Sequence, residues 1–162
     1  SDLSDIMHQI EAVRLIHEKL YQSERISSIR VQGYFQELLE MVFASFSSRP
    51  VEVLNRTDDI HVPTNLAVIL GLMVNEIATN ALKYGFDDGE KPVFQVEMTA
   101  ENAANRYVLT LSNTGRPFPE HKGLENSGTL GLQLISTLVD QLDGEIELQK
   151  SPHPVFTISF PM

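Results

Sequence analysis

Glu76, Asn80 and Lys83 fall four and then three residues apart in the run Val74-Asn75-Glu76-Ile77-Ala78-Thr79-Asn80-Ala81-Leu82-Lys83-Tyr84. Positions four apart share one face of a helix. The spacing therefore aligns a carboxylate with a carboxamide and brings an ammonium close to them. Asn75 precedes Glu76, about 100° round the helix. The rest of this helix reads Leu, Ile, Leu, Met, Val, Ile and Ala, so these polar groups sit where a merely solvated face would not need them. A carboxamide oxygen is a hard ligand for a divalent cation, and an ammonium is a point charge for phosphate oxygens. Together they suit a magnesium-bound polyphosphate.

Two glycine-bearing segments follow. Leu111-Ser112-Asn113-Thr114-Gly115-Arg116-Pro117-Phe118-Pro119 ends a strand-like run in a turn, and Ser127-Gly128-Thr129-Leu130-Gly131-Leu132-Gln133-Leu134 opens an apolar helix. Glycines at a helix start let backbone N–H groups approach an anion closely. Each signal is weak alone; their order along the chain is much more specific.

Composition narrows the classes. The chain has 162 residues, 42% hydrophobic, enough for one core. No run reads as a membrane span, and the opening Ser-Asp-Leu-Ser-Asp has no secretory pattern. The chain does not begin with Met and reads as a fragment of something longer. It has no cysteine, which excludes disulfides, thiolate metal sites and cysteine nucleophiles. That composition fits a cytoplasmic location, with any membrane anchor lying upstream. A net charge of −10 argues against nucleic acid as a partner. His8, His61, His121 and His153 lack metal-ligand spacing, so zinc is not expected.

The positioning elements can be read in order. Leu3, Ile6, Ile10, Val13, Ile16 and Leu20 form a seam on a helix over 4–22, which wants a partner helix more than it wants the domain core. A turn over 23–28 precedes a second helix over 31–46, ended by Ser47-Ser48-Arg49-Pro50. Val51–Leu54 reads as a strand. Pro63 suits the first turn of the helix that runs to Tyr84, with Thr64 and Asn65 as capping candidates and Gly85 as its stop. Strands are expected at 93–98, 107–111, 145–148 and 156–160, with a helix from Gly128 to Leu142. The segment 116–127 has the composition of a loop. The fold class is α+β: an antiparallel-rich sheet under helices, after an N-terminal helical segment.

From Val51 to Phe160 these residues resemble the ATP-binding domain of two-component sensor histidine kinases, within the superfamily that includes gyrase, Hsp90-type chaperones and MutL. Leu15-Ile16-His17-Glu18-Lys19-Leu20-Tyr21-Gln22-Ser23 is similar to the second dimerisation helix of one subfamily, as are Asn80-Ala81-Leu82-Lys83-Tyr84 and Leu130-Gly131-Leu132-Gln133-Leu134 to its motifs. The resemblance implies a two-layer α/β sandwich of the Bergerat type, with residues 1–24 a dimerisation helix and 25–162 the catalytic domain. It implies that Asn80 coordinates Mg²⁺ bridging the phosphates of ATP, and that Glu76, assisted by Asn75, orients or deprotonates a histidine. Lys83 would meet phosphate oxygens. Gly115 would pass close to adenine, and Gly128 and Gly131 would shape a lid hinge. Tyr84, Asn113, Thr129, Leu130 and Leu132 complete the implied nucleotide contacts. The implied partners are a response-regulator receiver domain and a second copy of the chain.

The departures matter as much. Asn113 stands where the family usually has an Asp that accepts from the adenine amine, Pro117 where a second glycine often lies, and His153-Pro154 where Gly-Thr is common. Weaker or less adenine-selective binding is expected. Neither His8 nor His17 matches a phosphoacceptor motif, so the chain is expected to bind ATP without phosphorylating itself efficiently. Three readings stay open: a histidine kinase core, a dimeric docking module with a decayed nucleotide site, or a relative that phosphorylates serine or hydrolyses ATP.

Overall fold

The computed structural model describes residues 2–21, 28–120, 122 and 130–162. The chain runs α1 (Asp2–Tyr21), β1 (Ile29–Arg30), α2 (Val31–Phe46), β2 (Glu52–Asn55), β3 (His61–Val62), α3 (Thr64–Asn80), β4 (Val93–Glu101), β5 (Arg106–Asn113), α4 (Leu130–Gln141), β6 (Glu145–Gln149) and β7 (Val155–Pro161). Five strands form one sheet in the order β2-β4-β5-β7-β6. Only β2 and β4 are parallel; the other pairs are antiparallel. β1 and β3 make a separate two-stranded ribbon. Helices cover one face of the sheet, as the α+β reading expects.

Period-two alternation builds the inner face. Phe94, Val96 and Met98 of β4, Leu109 and Leu111 of β5, and Phe156, Ile158 and Phe160 of β7 are all buried. They lie in register, with Val96 opposite Leu111 and Leu111 opposite Phe156. Asn113 is the next inward position of β5 and is buried too, opposite Phe94. Alternation thus delivers a carboxamide to the core side of the sheet at the strand's last residue. Above it, α3 buries Leu70, Met73, Val74, Ile77 and Ala78.

Several local expectations need correction. Pro63 is the N-cap of α3 rather than a residue of its first turn, and no side chain caps the helix; the Pro63 carbonyl accepts from the Leu66 and Ala67 N–H groups, each at 3.1 Å. A proline there has φ fixed for the turn and needs no donor. The helix does not run as one α-helix to Tyr84. Ala81–Gly85 widens into a π-turn, closed by Phe86 N–H donating to the Ala81 carbonyl at 3.1 Å. The two-residue strands β1 and β3 carry too short a pattern to be read in advance. Thr64–Gly85, with a mean hydropathy of 1.4, is long and apolar enough to meet the length and composition of a membrane span, which the sequence reading did not allow for. In the fold it is the central helix, buried by sheet and neighbouring helices.

The α1 seam divides. Leu15, Ile16 and Leu20 are buried, whereas Ile10 and Val13 are 64% and 52% exposed. Among the described side chains, it is the C-terminal half of α1 that covers the core. Ile16 reaches α3 at Gly71, where Tyr34 of α2 also arrives. A side chain at Gly71 would fall on the Tyr34 hydroxyl, so the missing Cβ is what lets three helices meet. The expected turn over 23–28 lies, apart from Ser28, outside the described residues, as does the expected start of the last helix at Gly128.

Candidate nucleotide site

Asn75, Glu76, Thr79 and Asn80 occupy the last turns of α3 and are all buried, each at most 8% exposed. Burying four polar side chains on an otherwise apolar helix costs free energy unless each finds a partner. The Thr79 hydroxyl donates to the Asn75 carbonyl at 2.8 Å. Glu76 has a partner of its own. Asn75 Oδ1 and Asn80 Nδ2, by contrast, are buried without a hydrogen-bond partner among the described residues. These two amide atoms lie within two turns of one helix, and buried polar atoms of this kind are uncommon.

The π-turn follows at once and carries Lys83 and Tyr84. Such a local widening re-aims side chains and recurs at functional sites. Lys83 is exposed, in contrast to the buried Glu76 and Asn80, so it stands at the surface end of the polar face. Gly85 closes the turn. A Cβ there would collide with the Asn113 amide, and a Cβ on Gly115, whose φ is +113°, would collide with the Gly85 carbonyl. Gly115 needs both its left-handed backbone and its missing side chain. The end of α3 and the end of β5 are locked together by these two glycines and by Arg116 N–H donating to the Gly85 carbonyl at 2.6 Å. The Arg116 guanidinium adds a bond to the Phe86 carbonyl at 2.9 Å.

Between these elements lies a closed crevice, without room for a water molecule, lined by Ile77, Asn80, Ala81, Tyr84, Gly85, Asn113, Phe118, Pro154 and Phe156. It is apolar with two carboxamides and a phenol set into it. Its aromatic walls touch: Tyr84 meets Phe118 edge-on with ring centres 6.1 Å apart, and Phe118 meets Phe156 likewise at 6.0 Å. Asn113 donates from Nδ2 to the Thr114 carbonyl at 2.8 Å, which reserves its oxygen for accepting. Lys122 lies over the Tyr84 ring, 4.1 Å from its centre.

The structure thus brings Asn75, Glu76, Asn80, Tyr84, Asn113 and Gly115 to one locality. Gly131 is part-buried near the start of α4, and the Leu132 side chain is packed in the core, 1% exposed, so that side chain faces inward rather than toward the crevice. Leu130 begins α4. Gly128 and Thr129 lie outside the described residues. Sequence reading missed Phe118 as a lining residue, noted Pro154 only as a departure from the family pattern, and took Gly85 only for a helix stop. The Lys-Tyr-Gly-Phe run and the Pro-Phe-Pro of 117–119 were the available signals.

The donors fit Mg²⁺ of a particular kind. Among the described residues no three His, Cys, Asp or Glu cluster into a cation cage. A single carboxamide beside a buried carboxylate suits an ion that keeps waters and takes its other ligands from phosphates.

Residues 50–152 match the family model described as the histidine kinase-like ATPase domain, and residues 1–46 match the model described as histidine kinase. Among curated proteins, the blue-light-activated histidine kinase 2 of Erythrobacter litoralis is 24% identical over 93% of the chain and 44% of its own length. The sensor histidine kinase PdtaS of Mycobacterium tuberculosis is 25% identical over 91% of the chain and 29% of its own length. The chain therefore spans less than half the length of these relatives. The solved histidine kinase domain of the Erythrobacter litoralis EL346 blue-light-activated histidine kinase superposes with a TM-score of 0.80, at 24% identity, over 98% of this chain and 79% of that one.

Proposed function

This chain belongs to the histidine kinase-like ATPase domain family, and from that premise we propose that it is the part of a cytoplasmic sensor histidine kinase that binds Mg-ATP and presents its γ-phosphoryl group to a histidine. The observation that carries this reading is the pair of buried, orphaned amide atoms on Asn75 and Asn80 beside an apolar crevice at the end of the same helix. The docking-module alternative is not favoured, because family models for both parts of a histidine kinase match along the chain.

In this reading the base enters the crevice. Tyr84 and Phe118 must part for it, since their rings now close the space. The Asn113 oxygen accepts from an amine on the base edge. Asn80 holds Mg²⁺ through its carboxamide oxygen. When bound, Mg²⁺ neutralises charge on the phosphates and orients them. Lys83, at the surface end of the face, meets phosphate oxygens. Glu76, buried beside Asn75, is placed to accept a proton from, or hold, an incoming imidazole. Catalysis is then positioning and charge neutralisation, as phosphoryl transfer generally requires. The backbone of Leu130, Gly131 and Leu132 offers donors to the phosphates at the start of α4.

A receiver-domain partner and a dimer formed through α1 are part of this reading. We assign α1 to the dimerisation helix and residues 25–162 to the catalytic domain. The deciding experiment uses a chain extended to include an upstream acceptor helix, with [γ-³²P]ATP and Mg²⁺. Asn80→Ala should abolish acid-labile label; full labelling of that variant would defeat the assignment.

A further inference from the structure

Arg49 lies just past the end of α2, outside the crevice lining, and its side chain crosses to the loop that follows the π-turn. Its guanidinium donates to three backbone carbonyls of that loop: Asp87 at 2.7 Å, Glu90 at 3.1 Å and Asp88 at 3.4 Å. The same three residues carry exposed carboxylates, yet the guanidinium takes the main chain. A bond to a carboxylate would tether a rotatable side chain; bonds to carbonyls hold the backbone itself. The rigid fork of a guanidinium suits this better than an ammonium. Arg49 is held in its turn. The C-cap of α2, Ser47, donates from its N–H to the Phe43 carbonyl at 3.0 Å and from its Oγ to the Arg49 carbonyl at 2.7 Å.

The gripped loop leads directly into the site. Phe86 packs edge-on against Phe43 of α2, with ring centres 6.2 Å apart, and its N–H closes the π-turn. A Cβ on Gly115 would crowd both the Gly85 carbonyl and the Asp87 N–H, so the loop rests on the end of β5. Gly85 in turn abuts the Asn113 amide. Arg116 holds the Gly85 and Phe86 carbonyls, but it belongs to the segment after β5 and moves with that segment. Arg49 ties the same stretch of backbone to the helical layer, independently of β5. By contrast, Asn75, Glu76 and Asn80 are set by α3 itself.

We propose that Arg49 is a positioning residue for the nucleotide site: by holding the 87–90 main chain it keeps Gly85 against Asn113, and so sets the base end of the crevice without touching the metal and phosphate end. This rests on the nucleotide-site reading above, and the test separates the two. The wild-type chain, Arg49→Ala and Arg49→Lys are titrated with adenosine and with a non-hydrolysable ATP analogue plus Mg²⁺, below the unfolding midpoint of each protein. The Asn113 side-chain amide is followed by NMR. Loss of preorganisation should weaken adenosine roughly tenfold in Arg49→Ala. The analogue should weaken by the same factor, so that the ratio of the two dissociation constants, which reports the phosphate and metal contacts, is unchanged. Arg49→Lys should fall between. The Asn113 amide signal should already be displaced in ligand-free Arg49→Ala; a loss of global stability alone would leave it in place. Adenosine affinity equal to wild type in both variants would overturn the proposal. So would a loss for the analogue that exceeds the loss for adenosine, which would mean general disturbance of the site. In either case the nucleotide reading survives, because wild type still binds. If wild type binds the analogue but not adenosine, the crevice is no base pocket and the proposal fails with that part of the reading. If wild type binds neither, the nucleotide reading itself fails and takes the proposal with it.

Discussion

At the scale of single residues, the buried carboxamides are the informative groups. An unsatisfied buried polar atom costs about 1–3 kcal/mol, and α3 carries two within six residues. A structural role would have replaced Asn80 with an apolar side chain of similar size. Asn80→Leu is accordingly expected to raise the thermal midpoint of the ligand-free chain while removing its stabilisation by Mg-ATP, which differential scanning calorimetry reads in both arms. Tyr34 supplies a contrasting case. Its hydroxyl is also buried without a partner, but it sits among α1, α2 and α3, away from the crevice. Burial pushes its phenol well above the ordinary tyrosine range. The unfolded chain releases that proton near pH 10 while the folded chain keeps it, so the unfolded state binds fewer protons there and stability falls as pH rises. Below pH 10 this contribution is fully present. Tyr34→Phe should leave stability at pH 7 unchanged or slightly higher, and should flatten its decline above pH 10, as urea titrations at pH 7 and pH 10.5 would record. An equal decline in both proteins would exclude the hydroxyl as the cause.

At the scale of elements, the meeting of α1, α2 and α3 at Gly71 governs how the N-terminal helix is carried. Gly71→Ala gains helix propensity of about 1 kcal/mol, yet its methyl would fall on the Tyr34 hydroxyl, and overpacking of this kind costs about 1–3 kcal/mol. Net destabilisation is expected in the wild-type background and relief in the Tyr34→Phe background; a double-mutant cycle with no coupling would show that the helices simply move apart. The split seam of α1 gives a second prediction. Ile16, buried against α3, should cost about 2–5 kcal/mol on truncation to Ala. Ile10, exposed in the single chain, should cost nothing there. If the proposed dimer forms through that exposed stripe, Ile10→Glu should shift sedimentation from dimer to monomer without lowering the unfolding midpoint of dilute protein.

At the scale of the whole molecule, the site joins the end of the central helix to the end of a central strand, and neither is complete alone. Ligand binding should therefore stabilise the entire cooperative unit. Mg-ATP at a hundred times its dissociation constant should add about 2.7 kcal/mol to the unfolding free energy. The net charge of −10 makes the phosphates' attraction local to the few cations at the crevice, so affinity for Mg-ATP should fall as salt is raised, while that for adenosine should not.

The sequence by itself determined the elements and their inward faces, because hydrophobic periodicity is local. The Leu109-Leu111-Asn113 alternation and the Glu76–Asn80 spacing needed no structure to be read, and they already pointed to one polar locality. The family resemblance then named the chemistry. What tertiary structure decided depends on approach between distant segments. Gly85 and Gly115 are ordinary turn glycines until β5 is laid against the end of α3, where each makes room for the other's neighbour. Phe118 becomes a wall of the crevice only because Tyr84 lies against it. The same holds for α1, whose uniform seam gives no hint that Ile16 and Leu20 are buried while Ile10 and Val13 stay exposed. Periodicity assigns a residue to a face; only the packed fold says which part of that face finds something to rest against.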